Sequence, residues 1–102
     1  MTTVTLKTSE WSCILVALAY ASYEVITDKI AQATVVRDVT AIRRIIRYRH
    51  PGEEVPISME PTSLALIHWV LQHRMQTYPQ HPQLGRIVAA MQTQIDRATS
   101  GQ

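Results

Sequence analysis

The stretch at residues 9–30 constrains this chain more than any other, because it is apolar on two faces. At 100° per residue, Trp11, Ile14, Leu15, Leu18, Ser22, Val25 and Ile26 fall on one side of a helix. Cys13, Val16, Tyr20 and Tyr23 form a second stripe, roughly opposite. A surface helix needs one apolar stripe, whereas a helix with two must be covered twice. No motif in the sequence names a reaction. What the residues specify is an architecture, an oligomer and one basic stripe.

At 102 residues the chain has room for a single helical domain, 1–102, with candidate internal halves 1–52 and 53–102. Apolar residues make up 46%, too many for a disordered chain, and with no Phe the core must be largely aliphatic. Cys13 is the only cysteine, which excludes an intramolecular disulfide and a cysteine-based zinc site, so a buried thiol is expected. The longest hydrophobic run, residues 13–22, is too short to span a bilayer, and Glu24 and Asp28 follow it. With no charged leader and cleavage site before it, the expected protein is cytoplasmic and off the membrane.

Taken in order, the residues predict a mainly α, four-helix domain. Val4-Thr5-Leu6 alternates as a short extended piece does. Thr8, Ser9 and Glu10 suit a helix start, and the first helix is expected over residues 9–30, with an ill-marked junction at 31–34. A second helix, 34–49, has Val35, Val39, Ile42, Ile45 and Ile46 on its apolar face, and Pro51-Gly52 stops it. Val55-Pro56-Ile57 is a second extended piece. A third helix, 61–77, lines one side with Leu64, Ile67, Leu71, Met75 and Tyr78, and carries Leu66 and Trp69 on the other. After a connector at 79–82, a fourth helix, 83–98, buries Leu84, Ile87, Val88, Met91 and Ile95.

The two extended pieces lie 51 residues apart, each ahead of a long apolar helix. At a spacing of 49, residues 35–47 overlay 84–96 with identities at Arg37/Arg86, Val39/Val88, Ala41/Ala90 and Ile46/Ile95. This is the pattern of a duplicated helical hairpin with two short extended segments able to pair, though two amphipathic helices also match by pattern alone.

Chemistry-bearing residues are sparse. His68 and His73 are five apart, about 140° around a helix, so they cannot share an ion, and His68 reads as a half-buried ring at the core edge. Glu24 and Asp28, four apart, read as solvated acids near Lys29. There is no phosphate-cradling glycine loop, no serine elbow and no Cys–His pairing in register, so no enzyme, metal or cofactor is expected. The charge is +2 overall, but residues 1–51 hold seven basic and four acidic side chains. Five arginines and one Asp lie between Arg37 and Arg49, without a lysine. Guanidinium forks suit phosphates, which makes Arg37, Arg43, Arg44, Arg47 and Tyr48 candidate nucleic-acid or anion contacts. The plainer explanation pairs these arginines with Glu53, Glu54 or Glu60, or with the negative end of their own helix.

The surplus apolar surface supplies the leading expectation. A four-helix domain has one interior and cannot cover both sides of two helices, so Val16, Tyr20, Tyr23, Leu66 and Trp69 are candidate interface residues. The expected protein is a small non-enzymatic interaction or regulatory protein, a homodimer. A nucleic-acid-binding module using the arginine face is the alternative, and an enzyme with its site at a dimer interface the third reading.

Overall fold

A computed structural model describes residues 1–24, 26–77 and 82–100, and the side chains of all of these but 22–24 and 98–100. The elements run β1 (Thr2–Lys7), α1 (Thr8–Glu24), α2 (Lys29–Ile46), β2 (Glu54–Met59), α3 (Pro61–Thr77) and α4 (Pro82–Ser100). The class is mainly α, with a two-stranded antiparallel sheet.

The extended segments do pair, from Thr2 opposite Met59 to Lys7 opposite Glu54. Alternation decides which face is wet. Val4, Leu6, Val55, Ile57 and Met59 point into the core, while Thr3, Lys7, Glu54, Pro56 and Ser58 face out. The ladder's outer edges follow from one contact. Gln94 of α4 accepts a hydrogen bond from Thr5 N and donates one to Thr5 O, at 2.6 and 2.7 Å. The backbone groups of Thr5 therefore point away from β2, and those of its opposite number, Pro56, point away from β1. Proline thus occupies an outward-facing donor position on β2, where its missing N–H costs the ladder nothing and interrupts the edge. On β1, Glu10 accepts from the outward Lys7 N at 2.9 Å.

The junction between the first two helices lies earlier than residues 31–34. α1 ends at Glu24 and α2 begins at Lys29. Asp28 is the reason: extended at φ −73°, ψ 125°, its carboxylate accepts from Ile30 N and Ala31 N as an N-cap. It is therefore a cap and not a surface acid on the first helix. Buried Ile26 closes the other side, its N–H donating to Ala21 O at 2.9 Å and its carbonyl accepting from Gln32 Nε2 at 2.6 Å. Val25, and the side chains of Ser22 and Glu24, lie outside the described residues, as do Tyr78 and most of the expected connector at 79–82.

Trp11, Ile14 and Leu18 are fully buried on the first stripe of α1, and Ile67 and Leu71 on α3. The α4 stripe packs as its spacing predicts, with Ile95 only partly covered. Trp11 anchors the centre, donating from Nε1 to Val55 O at 2.9 Å. Two departures occur on α2. Ile45 is exposed at the margin of the apolar arc, and Asp38 sits inside that arc, buried with Val35 and Ile42.

The order strand–helix–helix occurs twice, with strand starts at Thr2 and Glu54, 52 residues apart, and helix starts at Thr8 and Pro61 and at Lys29 and Pro82, 53 apart. The spacing of 49 that aligns the second and fourth helices is thus four residues short. Four residues are about one turn, so the slip preserves the faces while misplacing the register.

Candidate functional site

The two-faced helix α1 packs against α2, α3 and β1, and of its second stripe Cys13 is partly buried against the core while Val16 and Tyr20 stand out. Val16 is 50% exposed and Tyr20 53%. On neighbouring α3, Trp69 is 48% exposed and Leu66 is partly buried against the core. The two helices are joined at this surface by Arg74 of α3, whose guanidinium carbon lies 4.9 Å from the centre of the Tyr20 ring. Trp69 and His73 stack at a tilt of 40°, 5.7 Å between ring centres. Val16 and Tyr20 on α1 and Trp69 on α3 are thus half-exposed, Leu66 is partly buried, and the Arg74–Tyr20 contact ties the two helices together. The Tyr23 side chain lies outside the described residues.

Cys13 sits at the margin of this surface, half-buried. Burial pushes its thiol up from the ordinary value, against an opposing pull from the Arg74 guanidinium. The sulfur is held as a neutral thiol, a poor nucleophile. His68 is half-buried, as its position predicts. Among the described residues, no three histidine, cysteine or carboxylate side chains converge as a metal would need.

The arginine stripe divides into two groups. Arg37 turns toward α3, donating from Nη2 to Ser63 Oγ at 3.2 Å, with its Nε 3.6 Å from Asp38 Oδ1. Arg49 is ion-paired with Glu53 and donates from Nε to Ile45 O at 3.1 Å, which occupies one of the last carbonyls of α2. Arg43, Arg44 and Arg47 remain. All three are exposed, none has a carboxylate partner among the described residues, and with Thr40 they line an open concavity of about 380 Å³. Tyr48 is 88% exposed, with the Arg47 guanidinium 5.2 Å from its ring centre.

Sequence reasoning missed the polar cluster between α2 and α3. Asp38 is only 7% exposed, Ser63 is buried and accepts from Arg37, and Asp38 Oδ2 is a buried oxygen with no hydrogen-bond donor among the described residues. A signal existed: positions 35, 38 and 42 follow the i, i+3, i+7 spacing of a buried stripe. Missed too was Arg74, which nothing in its own helix pattern directs onto Tyr20. A second, more polar hollow of about 320 Å³ lies among Lys7, Glu10, Gln83 and Arg86, its charges of both signs.

Compared with models of known families, with curated proteins and with solved structures, the chain matches none.

Proposed function

We propose that this chain is a small non-enzymatic interaction protein that pairs with a second copy of itself through the α1–α3 face. The observation that carries the reading is the half-exposure of Tyr20 and Trp69, on adjoining helices, beside Val16. Tyrosine, tryptophan and arginine are the side chains that anchor protein interfaces, and Arg74 already lies over Tyr20.

A further fact supports it. The other route to self-association, strand on strand, is obstructed by Gln94 and Glu10 on β1 and by Pro56 on β2. Among the described residues no helix is long and apolar enough to cross a membrane.

Sedimentation equilibrium tests the pairing. The expected mass is about twice the 11.6 kDa of one chain. Tyr20→Glu or Trp69→Glu is expected to weaken pairing roughly 30-fold or more, the equivalent of a hot-spot loss of ~2 kcal/mol. A parent that stays monomeric at every concentration would sink the proposal.

A further inference from the structure

We infer that Arg43, Arg44 and Arg47 form a binding site for the phosphodiester backbone of a nucleic acid, separate from the α1–α3 face. Capping of α2 is supplied by Arg49, which bonds Ile45 O, and bridging to α3 by Arg37, which bonds Ser63. The remaining three have neither task. Arg47, at the C-cap of α2, is four residues from Arg43 and three from Arg44, so it neighbours both, and all three line one concavity.

Three like charges gathered on one turn repel one another, and an anion seated among them removes that cost. The concavity they line with Thr40, about 380 Å³ and open to solvent, leaves room for phosphate groups. Arginine presents a planar fork of donors that matches two phosphate oxygens at once, and the stripe contains no lysine. The chemistry of the margin favours a nucleic acid over an acidic protein segment. Tyr48 stands 88% exposed at the end of the row, with the Arg47 guanidinium near its ring, as a platform on which a base can stack. Contacts of this kind read the backbone and leave the sequence unread.

Fluorescence anisotropy with labelled random DNA about 30 nucleotides long, single-stranded and duplex, tests the site. Three neutralised phosphates predict that affinity falls roughly 20- to 40-fold between about 50 and about 200 mM salt. Arg43→Glu, Arg44→Glu and Arg47→Glu combined are expected to abolish binding, with the circular dichroism spectrum unchanged because all three side chains are exposed. Should the triple variant fold poorly, Arg44→Ala with Arg47→Ala is expected to lose at least about tenfold in affinity and to flatten the salt slope. Tyr20→Glu is expected to leave the affinity per chain within a few-fold, so loss of pairing and loss of DNA binding are read apart. No binding by the parent at the lower salt, or undiminished affinity in the arginine variants, would overturn the assignment. So would equal affinity for polyglutamate, which would mark an acidic protein surface as the ligand.

Discussion

At the scale of single residues, the buried polar atoms discriminate best between structure and function. Asp38 is the conspicuous case: a carboxylate inside an apolar arc, with one oxygen 3.6 Å from Arg37 Nε and the other without a donor among the described residues. The Arg37 side chain is 58% exposed, so solvent screens the attraction and it contributes little. An orphaned buried oxygen costs about 1–3 kcal/mol, and Asp is also a weaker helix former than Ala by a few tenths of a kcal/mol. Asp38→Ala is therefore expected to raise stability by about 1 kcal/mol in urea melts, despite the small void it leaves. A loss of similar size would mean that Oδ2 has a partner, such as an ordered water, that this cluster needs. Trp11 gives the opposite expectation. Its ring is fully buried and its Nε1 holds Val55 O, so Trp11→Phe removes a bond and some volume and should cost about 1–3 kcal/mol in the same melts.

At the scale of elements, the strands are short and depend on side chains for their edges. Gln94 satisfies both outward backbone groups of Thr5 from a helix 89 residues away in sequence. Gln94→Ala should cost about 1–2 kcal/mol and leave β1 with an open edge, seen as concentration-dependent aggregation that the parent lacks. No change in melting or in light scattering would show that water replaces the amide at no cost. The helices themselves were legible because burial follows spacing: Ile14 and Leu18, Ile67 and Leu71, Leu84 and Met91 are where the periodicity puts them. The break at residues 26–28 was not, because Ala31-Gln32-Ala33 favours helix and neither Gly nor Pro marks the stop. There the decision belongs to a tertiary fact, the burial of Ile26, together with the Asp28 cap. The two candidate surfaces were readable as residue types. Which arginines remain unpaired was not, since Ser63 and Glu53 come to them only in the folded chain.

At the scale of the whole molecule, residues 1–52 and 53–102 share one sheet, each giving one of its two strands. Each half is a strand followed by two helices, and each strand's pairing partner lies in the other half. The start of α1 is finished by the second half as well: Thr8 N donates to Glu53 O at 2.9 Å, and Trp11 Nε1 reaches Val55 O. A half alone would keep one strand without a ladder, and the first would leave in water the face that α1 turns to α3, so neither is expected to hold its fold by itself. Their relation is not fully symmetric, because Gln94 clamps β1 while Ala41, 53 residues earlier, has no side chain able to do the same for β2. Cutting the chain between Gly52 and Glu53 removes none of these contacts but turns an intramolecular association into a bimolecular one, at the cost of an effective concentration in the millimolar range. Peptides 1–52 and 53–102 are therefore expected to show little helix by circular dichroism when separate. An equimolar mixture should regain most of the parent spectrum, with a melting temperature that rises with concentration. If 1–52 alone melts cooperatively with its helices formed, the halves are autonomous units, and the shared sheet joins two finished cores instead of making one.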